Sequence, residues 1–155
     1  MRRWATSSGL SPPGRLPVRS HTTADGSAWT GTAGARDDAR VALDYLRGRY
    51  PDLPFTVAGF SFGSRIALRL GCGIARRVIA VGFPAAYKDK ASLENCTTPR
   101  VFIQSTHDQF GSVEQIESIV APLPEPKQLR LVEAQDHFFT GALDVLEETV
   151  KTLPA

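Results

Sequence analysis

From residue 35 onward the chain moves between two hydrophobic rhythms. Short apolar runs recur at 55–58, 77–82, 100–105 and 128–132, separated by stretches whose apolar residues stand three or four apart. The runs read as buried strands and the intervening stretches as helices with one face toward a core. The first helix is expected from Asp37 and Asp38, which suit a helix N-terminus by capping and by its positive end. Ala39, Val41, Ala42, Tyr45 and Leu46 supply its apolar face, and residues 48–51 close it. A second helix runs to about Leu70, with Gly71 and Gly73 as its stop. Ser112 and Gln115 form a capping-box pattern ahead of Val113, Ile116, Ile119 and Val120, and Pro122, Pro124 and Pro126 end that helix. Thr140 is placed to cap a last helix carrying Leu143, Leu146 and Val150. Residues 83–98 follow neither rhythm and are expected to be irregular, with at most a small helical flap. Strands alternating with helices predict an α/β fold, a mostly parallel sheet with helices on both faces.

Residues 1–34 have no such period. Pro12-Pro13-Gly14 and Pro17 break any regular element. The stretch is rich in Arg and Ser and poor in acids, as transit peptides are, but has too few apolar residues for an amphipathic face. It is expected to be a disordered or poorly packed tail ahead of one domain at 35–155. A mis-assigned start or shifted reading frame would produce the same abrupt change.

Charge sharpens this division. Residues 1–36 hold Arg2, Arg3, Arg15, Arg19 and Arg36 against a single acid, Asp25, and the remainder is slightly acidic. No basic stripe survives in the patterned part, so nucleic-acid binding is unsupported. No apolar run reaches membrane-spanning length. Cys72 and Cys96 form no C-x-x-C pair, and the favoured expectation is two free thiols in a reducing cytoplasm, with one disulfide as the alternative. His21, His107 and His137 lack metal-ligand spacing, so neither a metal site nor a cofactor is expected.

The most specific chemistry sits at Gly59-Phe60-Ser61-Phe62-Gly63, between an apolar strand and a helical run. A serine on so sharp a turn is forced into strained backbone geometry that lifts its hydroxyl clear of the sheet. Glycine is expected at both flanks because a Cβ there would strike the neighbouring strand or helix. Asp108 lies just beyond the strand 100–105, and His137 just beyond the strand 128–132. Open α/β sheets keep their chemistry at such strand ends. Serine, acid and histidine in that order, each at a strand end, suggest a hydroxyl nucleophile, an imidazole base and a carboxylate that orients it.

On these residues the chain resembles the α/β-hydrolase superfamily, in particular small bacterial hydrolases of the dienelactone-hydrolase and small-esterase kind. The matching stretches are 57–64, 106–111 and 134–139, and the likeness runs from about Ala35 to the C-terminus. It implies an esterase-like serine hydrolase acting on carboxylic esters, thioesters or lactones, with Ser61, Asp108 and His137 as a catalytic triad. It also implies the backbone N–H of Phe62 as one oxyanion donor. The family often inserts a lid domain where residues 83–98 lie. That connection is too short for one, so an open site without a lid domain is expected.

The likeness does not reach the first three dozen residues. The family's early strands, and the loop that supplies its second oxyanion donor, are not recognisable there. The expectation is the C-terminal part of the fold, with the strand at 55–58 uncovered on one side and available for a homodimer. A catalytically weak or inactive domain that binds a small apolar ligand or a partner is the alternative. Phe60, Phe83, Tyr87, Phe110 and Phe138 flank the presumed site and would suit an apolar acyl or ring-bearing substrate. Asp136 is the rival acid and His107 the rival base. Adjacency to His137 disfavours the first, and the second reads as a pocket or surface histidine.

Overall fold

Parallel pairing orders the sheet. A computed structural model describes residues 31–86 and 91–153, and among them are four strands and five helices. The elements are α1 (Gly31–Arg49), β1 (Thr56–Phe60), α2 (Phe62–Gly71), β2 (Arg77–Val81), α3 (Ala91–Glu94), β3 (Arg100–Ser105), α4 (Val113–Val120), β4 (Lys127–Val132) and α5 (Leu143–Lys151). The strands lie side by side in the order β1-β2-β3-β4. All three pairings are parallel, with Val57 beside Val78, Val78 beside Arg100, and Val101 beside Gln128. The strand–helix alternation read from the sequence thus gives the α/β sheet it predicts.

Adding each strand on the same side of the last has a consequence for layering. Right-handed crossovers then place their helices on one face. Residues of α2, α3 and α4 (Ala67, Leu68, Leu93, Ile116 and Val120) accordingly pack in one cluster with Val78, Ala80 and Phe102. On the opposite face Ile79, Val101 and Ile103 pack with Phe139 and Ala142, which precede α5, and with Leu146 of α5. β3 is buried at every position, whereas β4 alternates and shows Gln128 and Arg130 to solvent. β1 ends the sheet among the described residues and is partly exposed along its length. Contacts gather Thr32–Ala155 into one compact unit.

Three expectations change. The first helix begins at Gly31, six residues before Asp37, so residues 31–34 are helical; residues 1–30 lie outside the described residues. Its apolar face is also different. Ala35, Ala39 and Leu43, four apart, line a groove against Val57, Gly59 and Ile66, while Val41, Tyr45 and Leu46 are exposed.

The third change concerns the cysteines. Cys72 and Cys96 form a disulfide with Cα atoms 5.4 Å apart, not two free thiols. Cys72 follows α2 and Cys96 follows α3, so both chain segments are returning to the start of a strand. This meeting depends on tertiary topology and leaves no mark in the spacing. Gly73 N–H donates to Thr98 Oγ1 across the same junction, at 2.8 Å. The disulfide removes the thiol argument for a reducing cytoplasm. Among the described residues no helix is long and apolar enough to cross a membrane.

Candidate active site

Ser61 is the single residue between β1 and α2, with φ 51° and ψ −119°. Such a backbone is rare for a residue with a side chain and stores about 1–3 kcal/mol of strain. Its surroundings hold it there. Ser61 N–H donates to Val81 O at 2.8 Å. Ser61 O accepts from Ser64 N–H at 2.9 Å and from the wholly buried Ser64 hydroxyl at 2.5 Å. A Cβ on Gly59 would stand 2.1 Å from Gly63 O, so only glycine fits where the helix folds back over the strand. Gly63 differs from expectation: a Cβ there would meet nothing within 4 Å. Phe62 occupies the first position of α2, where backbone N–H groups face outward and attract negative charge. The Arg65 guanidinium lies 5.8 Å from the centroid of its ring.

Asp108 and His137 meet although 29 residues apart. Asp108 follows β3 and is buried; Oδ1 accepts from Phe110 N–H at 2.8 Å. Oδ2 lies 2.7 Å from Nδ1 of His137, itself buried, and 2.8 Å from Nε2 of Gln104. An ionised carboxylate only accepts hydrogen bonds, so Nδ1 carries the proton and Nε2 of His137 is left as the basic nitrogen. The loop bearing His137 is built to present it. Thr106 N–H bonds to Val132 O, and His137 N–H donates to Gln109 Oε1 at 3.1 Å. Asp136 shapes the turn by accepting from Phe138 N–H, Thr140 N–H and the Thr140 hydroxyl. The Thr140 N–H, then its hydroxyl, hold the Asp136 carboxyl below the usual carboxylate range. Asp136 is thus committed to its own loop. Thr140 serves this turn, and α5 is preceded by Ala142 at its N-cap. His107 is exposed and spends Nδ1 on Ala134 O at 2.9 Å.

The imidazole of His137 also lies beside the Ser61 turn. It packs on Gly82, the residue after Val81, whose carbonyl holds Ser61 N–H. Its centroid is 4.8 Å from the ring of Phe60, the residue before Ser61. Phe110 stands edge-on to it at 4.9 Å and Phe138 at 5.4 Å. Among the described residues no hydrogen bond joins Ser61 Oγ to His137. Three of the expected aromatic residues therefore surround the imidazole and remain open to solvent: Phe60 is 42% exposed, Phe110 55% and Phe138 61%. Phe83 is corrected. It is fully buried in the α2–α4 face, edge-on to Phe102 at 5.8 Å, because the chain leaving β2 turns its side chain inward. Tyr87 lies outside the described residues. Among the described residues no three His, Cys, Asp or Glu side chains group to hold a metal ion.

Gln104, Gly82, Ser64 and Gln109 all touch this arrangement and were not singled out from the sequence. Only Gln104 left a signal: an amide directly after the apolar run Val101-Phe102-Ile103 must have buried partners.

Comparison with known proteins places the fold. Residues 36–149 match the model of the alpha/beta hydrolase domain, and the chain belongs to that family. An alpha-beta serine hydrolase homologue from Coxiella burnetii is 26% identical with a TM-score of 0.75, covering 82% of this chain and 62% of its own. A lidless serine hydrolase from Xanthomonas campestris is 26% identical with a TM-score of 0.70, covering 86% of this chain and 61% of its own. An esterase from Pyrococcus furiosus shares the fold at 16% identity and a TM-score of 0.68, covering 82% and 62%. No curated protein matches the sequence significantly. The chain spans about three-fifths of the length of these structures, and its four strands are part of an α/β-hydrolase fold.

Proposed function

We propose that the chain is a serine hydrolase that cleaves carboxylic esters, or related thioesters and lactones, through an acyl-enzyme on Ser61. His137 Nε2 takes the hydroxyl proton as Ser61 Oγ attacks the carbonyl carbon. Asp108 keeps the imidazole in that tautomer and stabilises it once charged. The tetrahedral oxyanion is met by the N–H of Phe62 at the head of α2, a donor of a kind worth about 2.7–4 kcal/mol to the barrier. Collapse of the intermediate releases the alcohol, which takes the proton from His137. Water then repeats the sequence and frees the acid. Phe60, Phe110 and Phe138 form the apolar surround for the acyl or leaving group.

The observation that carries this reading is the 2.7 Å His137–Asp108 bond beside a serine held at φ 51°. Likeness to esterases of the same fold supports it. The test is hydrolysis of short p-nitrophenyl esters. A burst equal to the enzyme concentration, abolished by Ser61→Ala, is expected; wild-type turnover at the background rate removes the reading.

A second reading is a binding domain of the same family without turnover. The place of β1 at the end of the sheet among the described residues favours it, since an edge strand's backbone accepts a strand from another chain. A second copy is the simplest partner, and light scattering that reports only monomer at high concentration would eliminate that pairing.

A further inference from the structure

We propose that Gln104 is a positioning residue of the site, one whose amide fixes the Asp108 carboxylate and thereby the His137 imidazole. The inference rests on the hydrolase reading above and assigns a role that the triad alone leaves out. Gln104 stands in β3 with no exposed surface. Its orientation is settled by its neighbours. Oε1 accepts from Phe83 N–H at 2.9 Å, so Nε2 must face the opposite way. There its two hydrogens meet two acceptors, Asp108 Oδ2 at 2.8 Å and Gly111 O at 3.0 Å. A flipped amide would set oxygen against both.

The shared atom is what matters. Oδ2 is the same carboxylate oxygen that lies 2.7 Å from His137 Nδ1. With Phe110 N–H on Oδ1, the Asp108 carboxylate meets three donors and has no freedom to rotate. Removing the Gln104 amide would leave Oδ2 held by the imidazole alone, and the plane of the carboxylate would no longer be set by the sheet. Burying a neutral amide between Ile103 and Ser105 is costly unless it is fully bonded, and this one is. Through Phe83 N–H and Gly111 O the same side chain ties the acid to the chain leaving β2 and to the approach of α4. A Cβ on Gly111 would stand 2.8 Å from Phe83 O and 3.1 Å from Nε2, so glycine there leaves room for both the chain leaving β2 and the amide.

The test is a double-mutant cycle with Gln104→Met and Asp108→Ala, read with p-nitrophenyl butyrate. Gln104 is placed to touch no substrate, so Gln104→Met should lower kcat about tenfold with KM within about twofold. In the Asp108→Ala background it should lower kcat no further. Effects that multiply would show that Gln104 acts other than through Asp108 and would overturn the proposal. A readout independent of turnover is the Nδ1 proton of His137, seen by proton NMR as a far-downfield signal. Gln104→Met should shift or broaden it, and an unchanged signal overturns the proposal. Gln104→Glu keeps the size but turns the donor into an acceptor, and is read in the same two ways. If neither variant keeps the wild-type circular dichroism, Gln104 is a folding residue and the proposal falls. If wild-type protein cleaves no ester, the hydrolase reading fails and the NMR signal alone decides the role of Gln104.

Discussion

The imidazole of His137 rests on the α-carbon of Gly82. A Cβ built at Gly82 would stand 3.0 Å from Cε1 of His137, 3.3 Å from Nδ1, and 3.0 Å from the ring of Phe60. Gly82 also has φ +57°, which glycine adopts without strain. Gly82→Ala is therefore expected to push the imidazole off its seat. The imidazole would have to give by a few tenths of an ångström, and alanine is strained at this φ. Ester hydrolysis by Gly82→Ala is expected to fall severalfold while the fold persists. Activity within twofold of wild type would show that the imidazole has slack.

The two glycines around Ser61 should behave oppositely. Gly59→Ala forces a Cβ into backbone at 2.1 Å and is expected to prevent folding or to lower stability by several kcal/mol. Gly63→Ala meets open space inside α2 and should be neutral or stabilising by up to about 1 kcal/mol. Urea denaturation of both variants measures this, and equal losses would refute the asymmetry.

How far the sequence carried the site follows from the same pair. The strand–Ser–helix context, the acid after β3 and the histidine after β4 are local patterns, and each was readable one strand end at a time. The strand 100–105 and the Ser112–Gln115 capping box were legible for the same reason. The direction in which α1 turns was not. Its choice of Ala35, Ala39 and Leu43 over Val41 and Leu46 depends on which face meets β1, and periodicity alone is silent on that. Phe83 was misplaced because the turn after β2 decides between site and core. The Cys72–Cys96 bond and the seat that Gly82 gives His137 join distant segments, so no window of sequence contains them.

The disulfide should contribute measurable stability. Closing a loop between residues 24 apart restricts the unfolded chain, and the chain-entropy account gives about 3 kcal/mol. Cys72→Ala with Cys96→Ala, or reduction by dithiothreitol, should lower the urea midpoint accordingly without changing the fold. A midpoint unmoved by reductant would mean that the bond adds nothing to stability.

Asp136 predicts a particular pH dependence. Its folded carboxyl titrates below the usual carboxylate value, so its stabilisation is complete above about pH 4 and lost as pH falls through the folded value. Wild type should therefore melt higher than Asp136→Ala at neutral pH, and the gap should close on acidification below about pH 4. A gap that stays constant to pH 2 would show that the turn does not depend on the ionised form.

The imidazole is nine-tenths or more hidden while the three benzyl rings around it are wet. That combination makes one greasy spot on the surface coincide with the basic nitrogen. Amphiphiles added merely to keep the protein from sticking to glass or to itself have an apolar surface to settle on there. On the proposed hydrolase reading, a detergent screen on this protein would thus double as an inhibitor screen.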